Sequence, residues 1–172
     1  MKIERCPGVY DPDDDSYMLT GINEVAGNIL EIGCGTGIVG LSYAATGGRV
    51  LMADISPKAA RCAKANALRN GIEAEVVISD LFSGIRGKFD YCIFNPPYLP
   101  SGDADDTSWT GGPKGNEITA MFLGQFKNYC KVAFIIESSI SPIERGSFPS
   151  LSFKVMRSMQ YESERIDVVR VE

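Results

Sequence analysis

Short apolar segments alternate with segments of helical character along the central part of the chain. Helices are predicted over 38–45 and 58–69, and Asn116 is positioned to cap a later one. The apolar segments have the length of strands that are buried in a parallel sheet; they cover 27–32, 50–53, 75–79, 89–94 and 132–136. This alternation predicts a parallel sheet with helices on both of its faces.

The segments outside this alternation follow other patterns. Residues 17–25 have apolar positions at helical spacing behind an acidic run at 11–15, whereas 153–161 and 165–171 alternate like the strands of an antiparallel hairpin. We therefore predict a doubly wound α/β fold whose mostly parallel seven-stranded sheet ends in an antiparallel pair. The chain is predicted to be a single domain, 1–172, made of an N-terminal cap segment, a core and a set of edge strands, over 1–26, 27–137 and 138–172.

Composition narrows the possible chemistry. The chain has 172 residues, a formal net charge of −5 and no histidine, which excludes Ser-His-Asp triads, Cys-His dyads and imidazole metal ligands. No metal site is predicted. The five cysteines form no CxxC pair, so we expect buried free thiols and no disulfide framework. The longest purely apolar run, 132–136, is too short to cross a bilayer, and we expect a cytoplasmic protein without a membrane partner.

A glycine-rich turn follows the first predicted strand. Gly33, Gly35 and Gly37 lie where this strand passes into a helix, so the backbone can turn sharply and approach a ligand closely. Two registers fit this turn. Gly35-x-Gly37-x-x-Gly40 matches a dinucleotide fingerprint, and Glu31-x-Gly33-x-Gly35-x-Gly37 matches the nucleotide loop of S-adenosylmethionine methyltransferases.

Acidic residues end the next two predicted strands. Asp54 follows the second strand and can accept hydrogen bonds from both ribose hydroxyls of a nucleotide, while Asp80 follows the third and can meet the exocyclic amine of an adenine. Because ligands of such sheets bind outside the carboxyl ends of the strands, these positions favour a nucleotide over an empty glycine turn.

The fourth predicted strand runs directly into Asn95-Pro96-Pro97-Tyr98. The prolines stiffen the chain and leave carbonyl acceptors without competing N–H donors. The Asn95 side-chain oxygen and the Pro96 carbonyl can both accept from an NH₂ group, and Tyr98 offers a flat face to a planar substrate. Such a grip orients the nitrogen lone pair for attack on a methyl donor and needs no histidine. A hydride-transferring enzyme has no evident use for this segment.

The glycine turn, the strand-end acids and this segment together resemble the amino-group methyltransferases that carry an [N/D]PP[Y/F] motif. Within them the chain is similar to the HemK group, which methylates the glutamine of the Gly-Gly-Gln motif in peptide chain release factors. The opening 9–19, read as VYDPDDDSYML, resembles that group's Tyr-x-Pro-x-Glu-Asp-Ser/Thr-x-Leu-Leu, and Trp109-x-Gly111-Gly112 with Gly115-x-Glu117 resembles another of its segments. The fold implied is that of a Rossmann-like class I methyltransferase.

The resemblance implies functional roles at particular positions. The S-adenosylmethionine contacts would come from Ser16, Glu31, Gly33, Gly35, Gly37, Asp54, Ile55, Asp80, Leu81 and Asn95. The catalytic segment would be Asn95, Pro96, Pro97 and Tyr98. Only about 25 residues precede the first strand, as in the short archaeal and eukaryotic form that works with a small zinc-binding activator subunit. The segment 141–151 holds two prolines and a glycine where the group usually has a helix.

The predicted function is therefore methyl transfer to the side-chain amide nitrogen of a glutamine in a release factor. A rival prediction is a methyltransferase that acts on the exocyclic amine of a DNA or RNA base, which uses the same grip on a flipped-out base. The net negative charge makes a nucleic-acid partner less favourable. Two further candidates are a nucleotide-binding scaffold without catalysis and an NAD(P) oxidoreductase.

Overall fold

A seven-stranded sheet with strand order β3-β2-β1-β4-β5-β7-β6 forms the centre of the molecule. The computed structural model describes residues 1–101 and 110–172. Strand β7 runs antiparallel to both β5 and β6, and all other neighbours are parallel. The strands are β1 (Asn28–Ile32), β2 (Arg49–Asp54), β3 (Glu75–Ile78), β4 (Phe89–Phe94), β5 (Cys130–Ser138), β6 (Phe153–Gln160) and β7 (Arg165–Val171). The predicted doubly wound α/β fold with its antiparallel pair is confirmed.

Four α-helices and two short 3₁₀ turns accompany the sheet in the described part of the chain. The helix that the sequence marks best is the longest one: the Ser56 hydroxyl accepts a hydrogen bond from the Ala59 amide at 3.4 Å, as an N-cap does. The helices are α1 (Asp14–Met18), α2 (Ile38–Ala44), α3 (Pro57–Arg69) and α4 (Glu117–Leu123), and the 3₁₀ turns are Phe126–Asn128 and Arg145–Ser147.

Two predicted helices differ from what their apolar spacing suggests: α1 begins at Asp14, ahead of the predicted segment 17–25, and both α1 and α4 end early. In the N-terminal segment, α1 ends at Met18 because Gly21, with a φ of 61°, turns the chain out of the helix. Helix α4 ends at Leu123 and is followed by Gly124, a poor helix former. The chain then tightens into a 3₁₀ turn, because Cys130 already pairs with Phe89 in the sheet. Most of the apolar residues still pack inward, since the turns keep them on one side: they are Met18, Ile22 and Val25 in the first segment and Phe122 and Phe126 in the second.

The sheet buries one apolar cluster on each face. Ile29, on β1, packs with α2 and α3 on the first face, and its neighbour Leu30 points to the second, as strand alternation requires. On the second face, fully buried Phe122 lies with its ring centroid 5.3 Å from that of Phe82 and 4.9 Å from that of Phe94. This aromatic group fixes α4 against the strands that end at the candidate site.

The segment between β5 and β6 covers part of the second face without an α-helix. Its 3₁₀ turn is held by the Glu137 carboxylate, which accepts from the Ile143 amide at 2.8 Å and pairs with Arg145. Phe148 and Leu151 then pack against the second cluster as half-buried side chains. Side-chain anchoring therefore replaces the helix that the prolines of this segment disfavour.

The expectation of free cysteines is wrong for four of the five. Cys6 is bonded to Cys62, with a Cα–Cα distance of 6.1 Å, and Cys92 to Cys130, with a Cα–Cα distance of 5.8 Å; Cys34 is free and buried. Each pair is distant in sequence and is brought together by the fold, in one case by neighbouring strands β4 and β5. The spacing of the cysteines along the chain therefore does not reveal either bond. In the described residues no helix is long and apolar enough to cross a membrane.

Removing the Phe122 ring tests how much the packing of α4 on the aromatic cluster contributes to stability. We expect Phe122→Ala to lower the free energy of unfolding by about 3–5 kcal/mol, because a fully buried ring is replaced by a cavity. Urea unfolding followed by circular dichroism measures this change. Met121→Ala, on the exposed side of the same helix, is the matched control. A loss below about 1 kcal/mol for Phe122→Ala would contradict the assigned packing.

Candidate active site

Strands β1 and β4 bring the two conspicuous motifs of the sequence together. The strands pair in parallel with Ile32 opposite Phe94, so the residues that follow them, Gly33 and Asn95, leave the sheet side by side. A Cβ at Gly33 would lie 3.2 Å from the Phe94 ring and 3.7 Å from the Asn95 carbonyl oxygen. The candidate site is therefore at the switch point of the sheet, where strand order reverses on the two sides of β1.

The glycine loop has the left-handed backbone that its composition predicts. Gly33, Gly35 and Gly37 have φ values of 66°, 53° and 83°, which side chains with a Cβ rarely adopt. At Gly37 a Cβ would come within 3.0 Å of the Ala63 Cβ, so this glycine lets the loop pack on α3. At Gly35 no heavy atom of the described residues lies within 4 Å of such a Cβ, so the loop backbone is open to a ligand there.

Asp54 holds the glycine loop from the end of β2. One carboxylate oxygen accepts from the Gly35 amide at 2.9 Å and the other from the Ser56 amide at 2.8 Å. The side chain is buried, which raises the pKa of its carboxyl group, and the two backbone donors oppose that shift. Each oxygen keeps a lone pair for a further donor, so the residue can accept from hydroxyl groups as the sequence predicts.

Glu31 is buried on the inner side of the same loop. Its carboxylate accepts from the Gly40 amide at 3.0 Å, and a Cβ at Gly40 would overlap both this carboxylate and the Met52 side chain. Burial is the main cause that raises the pKa of Glu31 to about 8, and the Asp54 charge adds to it. Gly40, the last glycine of the dinucleotide register, thus has a packing role. Glu31 and Asp54 are two buried acids close to one another in the site.

The other predicted cofactor residues border the open side of the loop. Ile55, next to Asp54, is 65% exposed. Its side chain therefore offers an apolar surface on which a planar group of a ligand could lie. Asp80 is exposed, and buried Leu81 has a φ of 43°, a strained value held in part by the Ser79 hydroxyl, which donates to the Leu81 carbonyl at 2.9 Å. Both Asp80 and Leu81 line a surface cavity of about 240 Å³ that extends towards Met121 and Tyr129.

Asn95 presents an unpaired acceptor to the site. Its side-chain nitrogen donates to the Ser16 hydroxyl at 3.3 Å, so the first helix contacts the end of β4. Its side-chain oxygen is buried, and it has no hydrogen-bond partner among the described residues. Because a buried carbonyl without a donor is costly, this oxygen is a candidate acceptor for the N–H group of a ligand.

The rest of the Asn-Pro-Pro-Tyr segment is fixed by close backbone packing. A Cβ at Gly111 would overlap the Pro97 carbonyl, and one at Gly115 would lie 2.6 Å from the Tyr98 carbonyl oxygen. The Ser141 hydroxyl donates to the same Tyr98 carbonyl at 2.5 Å. The glycines of the predicted 109–117 motif therefore allow this loop to pack directly against the segment. Trp109, the first residue of that motif, lies outside the described residues.

Two residues of the site were given no role by the sequence. Asp15 is buried at 5% exposure, and its carboxylate accepts from the Tyr10 hydroxyl at 2.9 Å and the Tyr98 hydroxyl at 3.1 Å. Burial and the Asp15 charge raise the pKa values of both phenols well above their usual range, so both remain donors. The only sequence signal for these contacts is the motif at 9–19, in which Tyr10 precedes the acidic run and Asp15 is its last residue.

The C-terminal hairpin holds α1 in this position. The Arg157 guanidinium, on β6, donates to the carbonyls of Met18, Thr20 and Gly21 at 2.7, 2.8 and 2.9 Å. The Tyr161 hydroxyl donates to Asp14 at 2.9 Å. The edge strand thus satisfies carbonyls that the short helix and its following turn leave free.

These features fit the group that the sequence implies. The Asn95 oxygen, the open loop at Gly35 and the buried acids Glu31 and Asp54 provide acceptors for the hydroxyl and N–H groups of a cationic nucleoside. Glu31 adds negative charge when it loses its proton. Within the described residues no cluster of His, Cys, Asp or Glu could hold a metal ion. The sheet order and the site together define a methyltransferase of class I.

Comparison with known proteins gives the same result. The family described as "Methyltransferase small domain" matches residues 7–110. A protein of Methanocaldococcus jannaschii with the provisional name protein N5-glutamine methyltransferase is 35% identical over 90% of this chain and 86% of its own length. Mouse methyltransferase HEMK2 is 33% identical over 67% of this chain and 63% of its length. The small-subunit ribosomal RNA methyltransferase C of Haemophilus influenzae is 34% identical over 63% of this chain, and the match covers 34% of that protein.

Solved structures share the fold at lower sequence identity. A methyltransferase from Pyrococcus furiosus superimposes with a TM-score of 0.75 at 19% identity, covering 98% of this chain and 87% of that one. The 16S rRNA N2 G1207 methyltransferase of T. thermophilus, solved with AdoMet and guanosine, gives a TM-score of 0.68 at 18% identity over 94% of this chain and 43% of that one.

The chain belongs to the methyltransferase small domain family, and it is an S-adenosylmethionine-dependent methyltransferase. The resemblance to the HemK group is confirmed by the archaeal and mouse relatives. Membership of this family leaves no support for the oxidoreductase or for the non-catalytic scaffold. The individual roles of the site residues remain predictions.

The affinity for S-adenosylmethionine should depend on pH through Glu31. In the free protein this carboxyl has a pKa of about 8, so at pH 6 it is protonated, and a bound cation lowers its pKa and displaces the proton. We expect the Kd to fall as the pH rises from about 6 to 8 and to level off above, by at most about tenfold per pH unit. Calorimetry in buffers of different ionisation enthalpy measures both the affinity and the released proton.

Glu31→Gln is the matched control for this experiment. Glutamine keeps an oxygen for the Gly40 amide but has no proton to release, and the ligand's own titration is the same for both proteins. The ratio of the Kd values of the unmodified and Glu31→Gln proteins should therefore change with pH as Glu31 titrates. A ratio that stays constant from pH 6 to 9 would contradict the role of Glu31.

Proposed function

We propose that this enzyme transfers a methyl group to the side-chain amide nitrogen of a glutamine in a protein, and that this protein is a peptide chain release factor. The observation that supports it most directly is the buried, unpaired side-chain oxygen of Asn95 at the end of β4. A primary amide offers two N–H donors, one for this oxygen and one for the Pro96 carbonyl.

The chain's own groups contribute to this reaction by orientation. An amide nitrogen is a poor nucleophile because its lone pair is delocalised into the carbonyl group. Two acceptors that hold both N–H groups fix the plane of the amide and direct the lone pair to one side. S-adenosylmethionine, when bound, supplies the electrophilic methyl group and a positive sulfonium. Buried Asp54, together with Glu31 once it has lost its proton, would give the site the negative charge that favours a cationic ligand.

The relatives support a protein substrate. The archaeal relative matches along most of both chains, and its provisional name specifies glutamine N5. The release factor and, with it, a cytoplasmic location are part of the proposal, and so is the small zinc-binding activator subunit that the HemK resemblance implies. Activity measured after co-expression with a candidate activator tests the last of these.

An RNA or DNA base amine is the second candidate substrate. It is favoured by the ribosomal RNA methyltransferase C relatives, one of which matches 63% of this chain. The matched chain spans about a third of that relative, and a net charge of −5 is unfavourable for a phosphate backbone. These two facts make the glutamine substrate the better supported one.

Labelled S-adenosylmethionine separates the two candidates. The enzyme, with and without a candidate activator, is offered a purified release factor, the same factor with alanine at the Gly-Gly-Gln glutamine, and total RNA. We expect label in the first substrate only, and N5-methylglutamine in its peptide by mass spectrometry. Label in RNA, or equal label in the alanine variant, would overturn the glutamine assignment.

Replacing the proposed gripping residue should separate binding from turnover. We expect Asn95→Ala to lower kcat by roughly 10²–10³-fold, since a preorganised acceptor at the reacting amide is lost. The Kd for S-adenosylmethionine by calorimetry should change by less than about fivefold, which is about 1 kcal/mol. Asn23→Ala, at an exposed asparagine, is the matched control. Turnover near that of the unmodified enzyme would contradict the role of Asn95.

A further inference from the structure

The Asp15 carboxylate is buried and has no cationic partner within residues 1–101 and 110–172. It is 5% exposed, and no ion pair joins it to a lysine or arginine of the described residues. Its hydrogen-bond donors are the hydroxyls of Tyr10, Tyr98 and Ser16, together with the Ser16 amide. A buried carboxylate costs free energy that neutral donors offset only in part. This cost suggests that the carboxylate serves the site, since an asparagine would fill the same volume without a charge.

A carboxylate fixes the direction of the hydrogen bonds around it. Because an ionised carboxylate can only accept, the Ser16 hydroxyl, 3.2 Å from an Asp15 oxygen, must donate to it. The proton of that hydroxyl is then committed, and the Ser16 oxygen can act only as an acceptor towards its other neighbour. That neighbour is the Asn95 side chain, whose nitrogen lies 3.3 Å away.

The same direction determines how the Asn95 amide is turned. With the Ser16 oxygen as acceptor, Asn95 must present its NH₂ group to Ser16 and point its oxygen away. This is the oxygen that is buried and has no partner among the described residues. If Ser16 could donate instead, the Asn95 amide could flip and satisfy its oxygen internally, and an NH₂ group would then face the substrate's own N–H groups.

We propose that Asp15 is a positioning residue that sets the orientation of the Asn95 amide through the Ser16 hydroxyl, so that the site accepts a substrate NH₂ group. Its bond to the Tyr98 hydroxyl, 3.1 Å long, fixes the other end of the Asn-Pro-Pro-Tyr segment at the same time. This inference rests on the proposed function for its substrate, whereas the orientation of Asn95 is a property of the enzyme alone.

Asp15→Asn tests the proposal with almost no change of volume. The Ser16 amide keeps the oxygen of the new asparagine towards Ser16, but a neutral amide oxygen is a weaker acceptor than a carboxylate. The Ser16 hydroxyl can therefore turn and donate to the Asn95 oxygen instead. We expect kcat to fall roughly 100-fold at saturating S-adenosylmethionine, with the KM of the protein substrate and the melting temperature nearly unchanged. Asp14→Asn, at the exposed neighbouring aspartate, keeps an oxygen for the Tyr161 hydroxyl, so it is the matched control and should retain its turnover.

A double-mutant cycle distinguishes a chain of hydrogen bonds from two separate effects. If Asp15 acts through Ser16, then Asp15→Asn should lower the single-turnover rate of the Ser16→Ala enzyme by less than about threefold, against roughly 100-fold in the unmodified enzyme. Equal losses in the two backgrounds would overturn the proposal. So would an Asp15→Asn enzyme with a kcat close to that of the Asp14→Asn control.

A measurement without substrate keeps this proposal separate from the proposed function. In protein labelled with ¹⁵N-asparagine, the side-chain NH₂ signals of Asn95, identified by their loss in Asn95→Ala, report its hydrogen bond to Ser16. We expect Asp15→Asn to shift these signals and to speed their exchange with water, and Asp14→Asn to leave them in place. Unchanged Asn95 signals in Asp15→Asn would overturn the proposal, even if the glutamine substrate is correct. Shifted signals with no methylation of a release factor would instead refute the substrate assignment alone.

Discussion

The parallel pairing of β1 with β4, with Ile32 opposite Phe94, is the contact on which the rest of the site depends. It places the glycine loop beside the Asn-Pro-Pro-Tyr segment at the point where the strand order reverses, so that a cofactor on one side can face an acceptor on the other. The remaining parts of the site are supports for this juxtaposition. Asp54 holds the loop through the Gly35 amide, and α1 holds Asn95 through the Ser16 hydroxyl.

The site concentrates negative charge in a chain that has no histidine. Glu31, Asp54 and Asp15 are all buried, and none of them forms an ion pair with a lysine or arginine within residues 1–101 and 110–172. Burial raises the pKa values of Glu31 and Asp54, which shows that the isolated fold tolerates their charge poorly. A ligand with a positive charge offsets this cost. Binding therefore recovers part of the free energy that burial of the carboxylates costs on folding.

Local patterns were sufficient to predict most of the fold. The five apolar segments and the Ser56 and Pro57 signals identify strands and a helix, because burial in a parallel sheet and helix capping leave marks within a few residues. The strand-end acids and the Asn-Pro-Pro-Tyr segment could be placed at one edge for the same reason. The early ends of α1 and α4 could not be predicted from local patterns. The turn at Gly21 overrides the helical spacing after α1, and sheet pairing at Cys130 overrides it after α4.

Contacts between distant segments were beyond the sequence. Asp15 and Tyr98 are 83 positions apart, and nothing in the acidic run at 11–15 distinguishes the one buried carboxylate from its exposed neighbours. The two disulfides have the same origin, because the partners of each cysteine are determined by where the fold brings them. In both cases the sequence supplied the residue types, and only the tertiary structure supplied the pairing.

The Cys6–Cys62 bond has a consequence for how the site is prepared for binding. It closes a ring of chain, with its cysteines 56 positions apart, that contains the glycine loop, α1 and most of the cofactor-facing residues. Asn66 on α3 adds a pair of hydrogen bonds to the Glu4 backbone, both 3.0 Å long. The segment that carries Tyr10 and Asp15 is thereby restrained before any ligand arrives. Much of the conformational entropy that such a segment would otherwise lose on binding has already been lost on folding and oxidation.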